Sequence, residues 1–218
     1  MNTGLGNLAD LQGWLLPAEY ATDTGFAAQL AILGPGVAAM LESFCNRKLA
    51  RASDDLYETN ADRLVVVLPR YPVEAISKVE VRSNIEEGWQ DQGDPDQLLF
   101  NRRDEAGIVD IGGWLGGRYQ RLRFTYTGGY WFETLEPTDD GFPSTMPDTA
   151  TALPADLKFA WLQQCAEAWK VRAKLGIAIT AQPVDPRTQA MLARSLDSLP
   201  LLPEVQAILR SYMRYQLT

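Results

Sequence analysis

Two periodicities alternate along this chain. From Thr24 the segments FAAQLAIL and VAAMLESFCNRKLA place Phe26 and Leu30, then Val37, Met40, Leu41 and Phe44, at the three-and-four spacing of a helix with one buried stripe. That pattern predicts helix as far as Ala50, with a break or kink at Gly34-Pro35-Gly36, because proline donates nothing to a helical ladder. Ahead of it, residues 1–22 read as an arm with at most a short amphipathic turn, since Gly13 and Pro17 interrupt the period.

Beyond residue 60 the period shortens to two. Leu64-Val-Val-Val-Leu68 is a β-branched run closed by Pro69, and AISKVEVR sets Ser77, Val79 and Val81 against Ile76, Lys78, Glu80 and Arg82. Leu98-Leu99-Phe100, GIVDI and RYQRLRFTYT come next, the last with Leu122, Phe124 and Tyr126 on one face and Arg121, Arg123 and Thr125 on the other. Five short strands with glycine-rich turns predict an antiparallel sandwich or barrel-like lobe over 61–132, with connections too short for parallel crossovers.

Residues 133–152 are rich in Pro, Asp, Ser and Thr and read as a loop. Helix then returns: Leu157, Trp161, Cys165, Ala168 and Trp169 form a broad apolar stripe opened by Pro154 and Asp156, with Gly176 placed to end it. Asp185-Pro186 is placed to cap a short helix through Ala190, Met191 and Arg194. A last helix starts at Leu202-Pro203-Glu204 and carries Val205, Ile208, Leu209 and Tyr212 on one side. The fold class is therefore α+β. An arm (1–22) precedes a helical body (23–60 and 153–218), which is interrupted by the β lobe (61–132) and the loop (133–152).

Composition narrows the function. At 46% hydrophobic and 22% charged residues, the chain has enough apolar surface to fold. Its net charge of −8 argues against indiscriminate nucleic-acid binding. The charge is also uneven: 12 basic and 23 acidic groups up to residue 152, 8 and 5 after it. Cys45 and Cys165 sit in predicted helices beside apolar residues, which predicts buried thiols and no disulfide framework. No basic, apolar leader opens the sequence and no apolar run is read as a membrane span, so synthesis in the cytoplasm is expected.

The chain has no histidine, which removes the usual base of triad hydrolysis and the commonest metal ligand. Glu86, Glu87, Asp91, Asp94 and Asp96 surround Trp89; their spacing fits no calcium loop, and a solvated hairpin competes with an ion site or a pair of catalytic carboxylates. Asp139-Asp140-Gly141 reads as another solvated turn. Gly112-Gly113 and Gly116-Gly117 flank Trp114-Leu115 without the lysine and hydroxyl of a phosphate loop. Trp89, Trp114 and Trp131, with Tyr119, Phe124, Tyr126 and Tyr130, leave open a ligand-binding module that stacks a glycan or peptide. Lys170, Arg172 and Lys174 on the strong helix, with Arg194, Arg210 and Arg214 further on, are candidate interface or DNA-facing residues, and favourable charges at helix C-termini are the plainer reading. No catalytic group, metal site or cofactor site is read from the chain.

The order of these features resembles the head-tail connector, or adaptor, proteins of tailed bacteriophages, in the group whose helical connector fold carries an inserted β lobe. The resemblance rests on VAAMLESFCNRKLA, LPRYPVEAISKVEV, LRFTYTGGYW, LPADLKFAWLQQCAEAWKVRAKLG and LLPEVQAILRSYMRY, and it spans about residues 24 to 215. The matched positions are Phe44, Asn46, Arg47, Pro72, Val73, Tyr126, Gly128-Gly129-Tyr130, Leu157, Pro203 and Tyr212. It implies a non-enzymatic virion subunit at the head-tail junction, without cofactors, forming a ring of about twelve copies under the portal protein and presenting a surface to a neck or tail-completion protein. The 133–152 loop and Gly34-Pro35-Gly36 depart from a plain connector.

Overall fold

Asn7 opens the first helix, α1 (Leu8–Leu15), through a capping box in which its side chain accepts from the Asp10 amide while Asp10 accepts from the Asn7 amide. The arm is thus two turns of real helix, and Gly13 sits inside it on the exposed side, where a missing side chain forfeits little packing. The computed structural model describes residues 4–16, 24–61, 64–84, 86–111, 120–133, 142–174 and 199–214.

The second helix, α2 (Thr24–Cys45), runs unbroken through Pro35. The backbone around the proline is used elsewhere: the Gly34 carbonyl accepts the buried indole N–H of Trp161 at 3.1 Å. Gly4 packs so closely on this turn that a Cβ there would stand 2.5 Å from Ala38 Cβ. By length and composition Gly25–Cys45 is apolar enough to cross a membrane, contrary to the sequence reading, and its Leu30, Leu33, Val37 and Leu41 are buried in the core of the helical body. The helix stops at Cys45, five residues before Ala50, because Asn46 takes a left-handed φ of 50°.

The chain then enters a strand that the sequence pattern did not announce, β1 (Ala52–Asn60), whose ASDDLYETN carries too few apolar residues to read as one. The remaining strands are β2 (Val65–Val67), β3 (Val73–Arg82), β4 (Gln90–Asp91), β5 (Leu99–Arg103), β6 (Ile108–Ile111), β7 (Arg121–Gly128), β8 (Tyr130–Trp131) and β9 (Thr151–Ala152). A one-turn helix, α3 (Pro95–Leu98), precedes β5. One antiparallel sheet has the order β1-β7-β3-β4 and a second the order β2-β6-β5, while β8 and β9 form a short parallel pair. The β7 alternation is as predicted, with Leu122, Phe124 and Tyr126 fully buried. The β3 alternation is not: Ile76, Val79 and Val81 are all buried and Ser77 is exposed, because the register with β7 slips between Ile76 and Lys78. A bulge adds one residue and exchanges the two faces beyond it.

The fourth helix, α4 (Ala155–Lys174), buries Leu157, Trp161, Cys165 and Ala168 as its stripe requires. The last, α5 (Pro203–Leu209), extends into a 3₁₀ turn at Arg210–Tyr212 and buries Val205 and Leu209. Gly176, the helix predicted around Ala190 to Arg194, the Gly112–Gly117 segment and Asp139-Asp140-Gly141 lie outside the described residues. Part of the 133–152 loop is anchored: Phe142 is buried against Phe132, and β9 pairs with β8. The result is an α+β fold, a helical body of α1, α2, α4 and α5 with an antiparallel β lobe inserted between α2 and α4. Each part has its own apolar cluster.

Candidate functional site

The two clusters meet at a polar seam that begins where α2 ends. The Asn46 amide donates to the Ser43 carbonyl at 3.2 Å and the Arg47 amide to Glu42 at 3.1 Å, the paired bonds of a Schellman cap, which needs a residue tolerant of the left-handed region at Asn46. Glu42 also accepts the Leu49 amide at 2.8 Å and Lys48 Nζ at 3.0 Å, fixing the direction in which the chain leaves the helix. Residues 48–51 then thread between two other segments. Lys48 donates to the Pro69 carbonyl at 2.8 Å, Tyr130 to Leu49 at 2.8 Å and Arg51 to Tyr130 at 3.0 Å. Gly129 is required here: its φ is +93°, and a Cβ would stand 2.7 Å from the Ala50 carbonyl oxygen.

Arginines fill the seam. Arg51 grips Glu74 with two bonds, at 2.7 and 2.8 Å, and both side chains are almost fully buried. The fork of Arg matches a carboxylate in this geometry. Arg70 pairs with Asp55 at 2.7 Å, and its amide donates to the Tyr126 hydroxyl at 3.2 Å. Burial, reinforced by the Asp55 carboxylate, pushes the Tyr126 hydroxyl far up. Arg47 lies 3.3 Å from the ring centre of Tyr71 and 5.4 Å from that of Tyr130, and donates to the Tyr71 carbonyl. Burial raises both tyrosine hydroxyls, with Arg47 pulling the other way. Although Arg47 is only 4% exposed, its Nε has no hydrogen-bond partner.

Arg214 closes the seam from the far end of the chain. Its amide donates to the Cys45 carbonyl at 2.8 Å, and its guanidinium donates to the Tyr57 hydroxyl at 3.3 Å and to the Val67 carbonyl. Between these groups lies an open groove of about 300 Å³, lined by Glu42, Ser43, Asn46, Arg47, Lys48 and Arg214 among others. Three cations face one carboxylate there, and that carboxylate is already engaged.

Three of the predicted basic residues, Lys170, Arg210 and Arg214, have described side chains. Lys170 is exposed on α4, 3.7 Å from Glu167; Arg210 is exposed on the 3₁₀ turn; Arg214 is tied into the seam. Arg172 and Lys174 belong to the last turn of α4, without described side chains, and Arg194 lies outside the described residues. The acidic residues around Trp89 are exposed and spread: Asp91 faces Lys78, Asp96 faces Arg102, and Asp94 caps α3. Among the described residues no group of three or more Cys, Asp or Glu side chains gathers to hold a metal ion. Trp89 is covered by Arg82 and Arg123, whose guanidinium carbons lie 4.7 and 4.5 Å from its ring centre. Trp131 packs on the helical core, and Trp114 lies outside the described residues.

Sequence reasoning missed Glu42, Arg51, Arg70 and Glu74 as a set. The available signal was the run NRKLAR directly after an apolar helix. The positions that carried the connector resemblance fare differently: Asn46, Arg47, Pro72, Val73, Tyr126, Gly129 and Tyr130 all converge on the seam. Tyr212 joins them from the helical side, its ring 6.3 Å from Tyr130 and its hydroxyl donating to Asp156 at 2.7 Å.

No family model and no curated protein matches the chain. Solved structures do. A chain from the virion of a native gene transfer agent particle has a TM-score of 0.51 at 15% identity, covering 90% of this chain and 91% of that one. Chains from the neck of the native particle, computed with C12 symmetry, and of the empty particle, computed with C6 symmetry, give 0.49 and 0.47, both at 16% identity. They cover 92% of each chain for the former, and 90% of this chain and 91% of that one for the latter. The virion chain carries the likeness, and what it establishes is a shared fold.

Proposed function

We propose that this chain is a structural adaptor subunit that forms a ring beneath the portal of a filled, phage-type capsid and joins the head to neck or tail components. The observation that carries the reading is the fold, a helical body with an inserted β lobe, shared over nine-tenths of the chain with a gene transfer agent virion chain. The chemistry agrees with it. A chain with no histidine, whose buried Arg51 and Glu74 clasp each other at the seam, is built to hold a shape. In this reading the chain is a virion component, and Lys170, Arg172, Lys174, Arg194 and Arg210 face neighbouring subunits or passing DNA. Arg214 instead serves the seam.

The test is to mix the protein with portal rings and weigh the product by native mass spectrometry. The mass should rise by one whole ring of subunits, near twelve if the symmetry follows the portal. A portal that gains no mass under assembly conditions sinks the reading. A module stacking glycans on Trp89, Trp114 and Trp131 is less well supported, because Trp89 is already covered by two arginines and Trp131 is packed on the body.

A further inference from the structure

We propose that neighbouring copies join head to tail, the groove at the body–lobe seam of one copy receiving the carboxylates of Glu86 and Glu87 from the next. This rests on the ring reading above and names the contact that would close the ring.

The groove offers unfilled donors. Arg47 lines it without an ion pair among the described residues, its unpartnered Nε closed off from solvent beneath the surface. Lys48 reaches Glu42 yet keeps an exposed ammonium with further protons to give, and Ser43 and Asn46 are exposed at the rim. Burying a charged donor without an acceptor is unfavourable, and a carboxylate is the group that a guanidinium and an ammonium bind best. The single carboxylate present, Glu42, already accepts from Leu49 and Lys48, so a second one is what the groove lacks.

The same chain carries that second carboxylate elsewhere. β3 leaves the seam at Val73, paired with Gly128, and ends nine residues later at Arg82. At about 3.3 Å per residue the strand spans about 30 Å. Just beyond it Glu86 and Glu87 are exposed, on a turn shaped by Gly88 at φ +71°. Neither has an ion pair among the described residues, whereas the nearby Asp91 and Asp96 face Lys78 and Arg102. A basic groove on one surface and an exposed acidic pair on another attract copies in series. Such a contact uses two different surfaces, and closes into a ring when the rotation per copy allows.

The test is oxidative cross-linking of the full chain carrying Ser43→Cys and Glu87→Cys, with and without portal rings. Both positions are exposed, and the native Cys45 and Cys165 are buried thiols that do not compete. A head-to-tail contact yields a ladder of dimers, trimers and longer products, while either single variant stops at dimers. Lys48→Glu should weaken the ladder about tenfold, and adding Glu86→Lys should restore it. A ladder supports the contact whether or not the portal binds. Portal binding without a ladder overturns the contact and leaves the adaptor reading standing. Absence of both removes both.

Discussion

In the helical body the core side chains come from widely separated stretches: Leu5 and Leu11, Leu30 to Leu49, Tyr130 to Phe142, Leu157 to Ala168, and Val205 with Leu209. The β lobe draws its core from one run between Ala61 and Tyr126. The body therefore closes only when both ends of the chain meet, whereas the lobe can assemble from its own segment. The inserted part is thus the self-sufficient one, and the helices enclosing it depend on long-range closure.

The most forceful way to break this distinction is to empty each core in turn. Trp161→Ala and Phe124→Ala each remove a fully buried aromatic, and each should lower stability by about 3 to 5 kcal/mol. Trp161 also loses its bond to Gly34 and its packing on Gly6, where a Cβ would meet the ring at 2.6 Å. Hydrogen exchange read separately at helix and strand amides is the measurement. Phe124→Ala should expose strand amides while the helices stay protected, and Trp161→Ala should do the reverse. Equal exposure of both sets by either variant means that the two parts unfold as one.

That contrast also explains what the sequence made legible. Leu122, Phe124 and Tyr126 alternate and the Leu157-Trp161-Cys165 stripe repeats, so β7 and α4 can be read from local pattern alone. β1 cannot: its DDLYETN is held in the sheet by pairing with β7 and by Asp55 meeting Arg70, contacts between residues far apart in sequence. Pro35 misled for a related reason, since the helix through it is supported by Gly4 and Trp161 from elsewhere in the chain. The seam was only half visible. Arg47 and Gly129 stood out, but the partners that give Arg51 and Arg70 their meaning lie 15 to 23 residues away.

The seam itself gives the next test, because it decides whether the two parts can act independently. Arg51→Met strands Glu74, whose side chain is 4% exposed, and should cost about 3 kcal/mol or more. Arg51→Met with Glu74→Leu should recover most of that loss, since an apolar pair carries no desolvation penalty. Denaturant midpoints of the two singles and the double measure the coupling directly. A loss under about 1 kcal/mol for Arg51→Met would make the pair an ornament of the surface, and the two parts would then be joined mainly by backbone bonds.

A subtler separation comes from alkali. Burial raises the Cys45 thiol from 9.0 to about 11, despite the nearby Arg47, and raises Cys165 as well; both belong to the helical body. In the lobe the corresponding groups are Tyr126 and Tyr71, both raised from 10.0. In each case the folded chain holds a proton that the unfolded chain releases sooner. Their contribution is therefore whole below the unfolded pKa and lost as pH rises through the folded one. For Cys45 that window runs from about pH 9 to about 11, whereas Tyr126 begins to weaken the lobe only above about pH 10. Denaturant midpoints followed by helical ellipticity should accordingly start to fall near pH 9 in the native chain. With Cys45→Ala and Cys165→Ala they should hold level until the tyrosines of the unfolded chain begin to ionise near pH 10. The slope carries the comparison, because removing either thiol also leaves a small cavity that shifts every midpoint by a constant amount. An unchanged slope between pH 9 and 10 would show that the thiols ionise alike in both states, and that the body around them admits water.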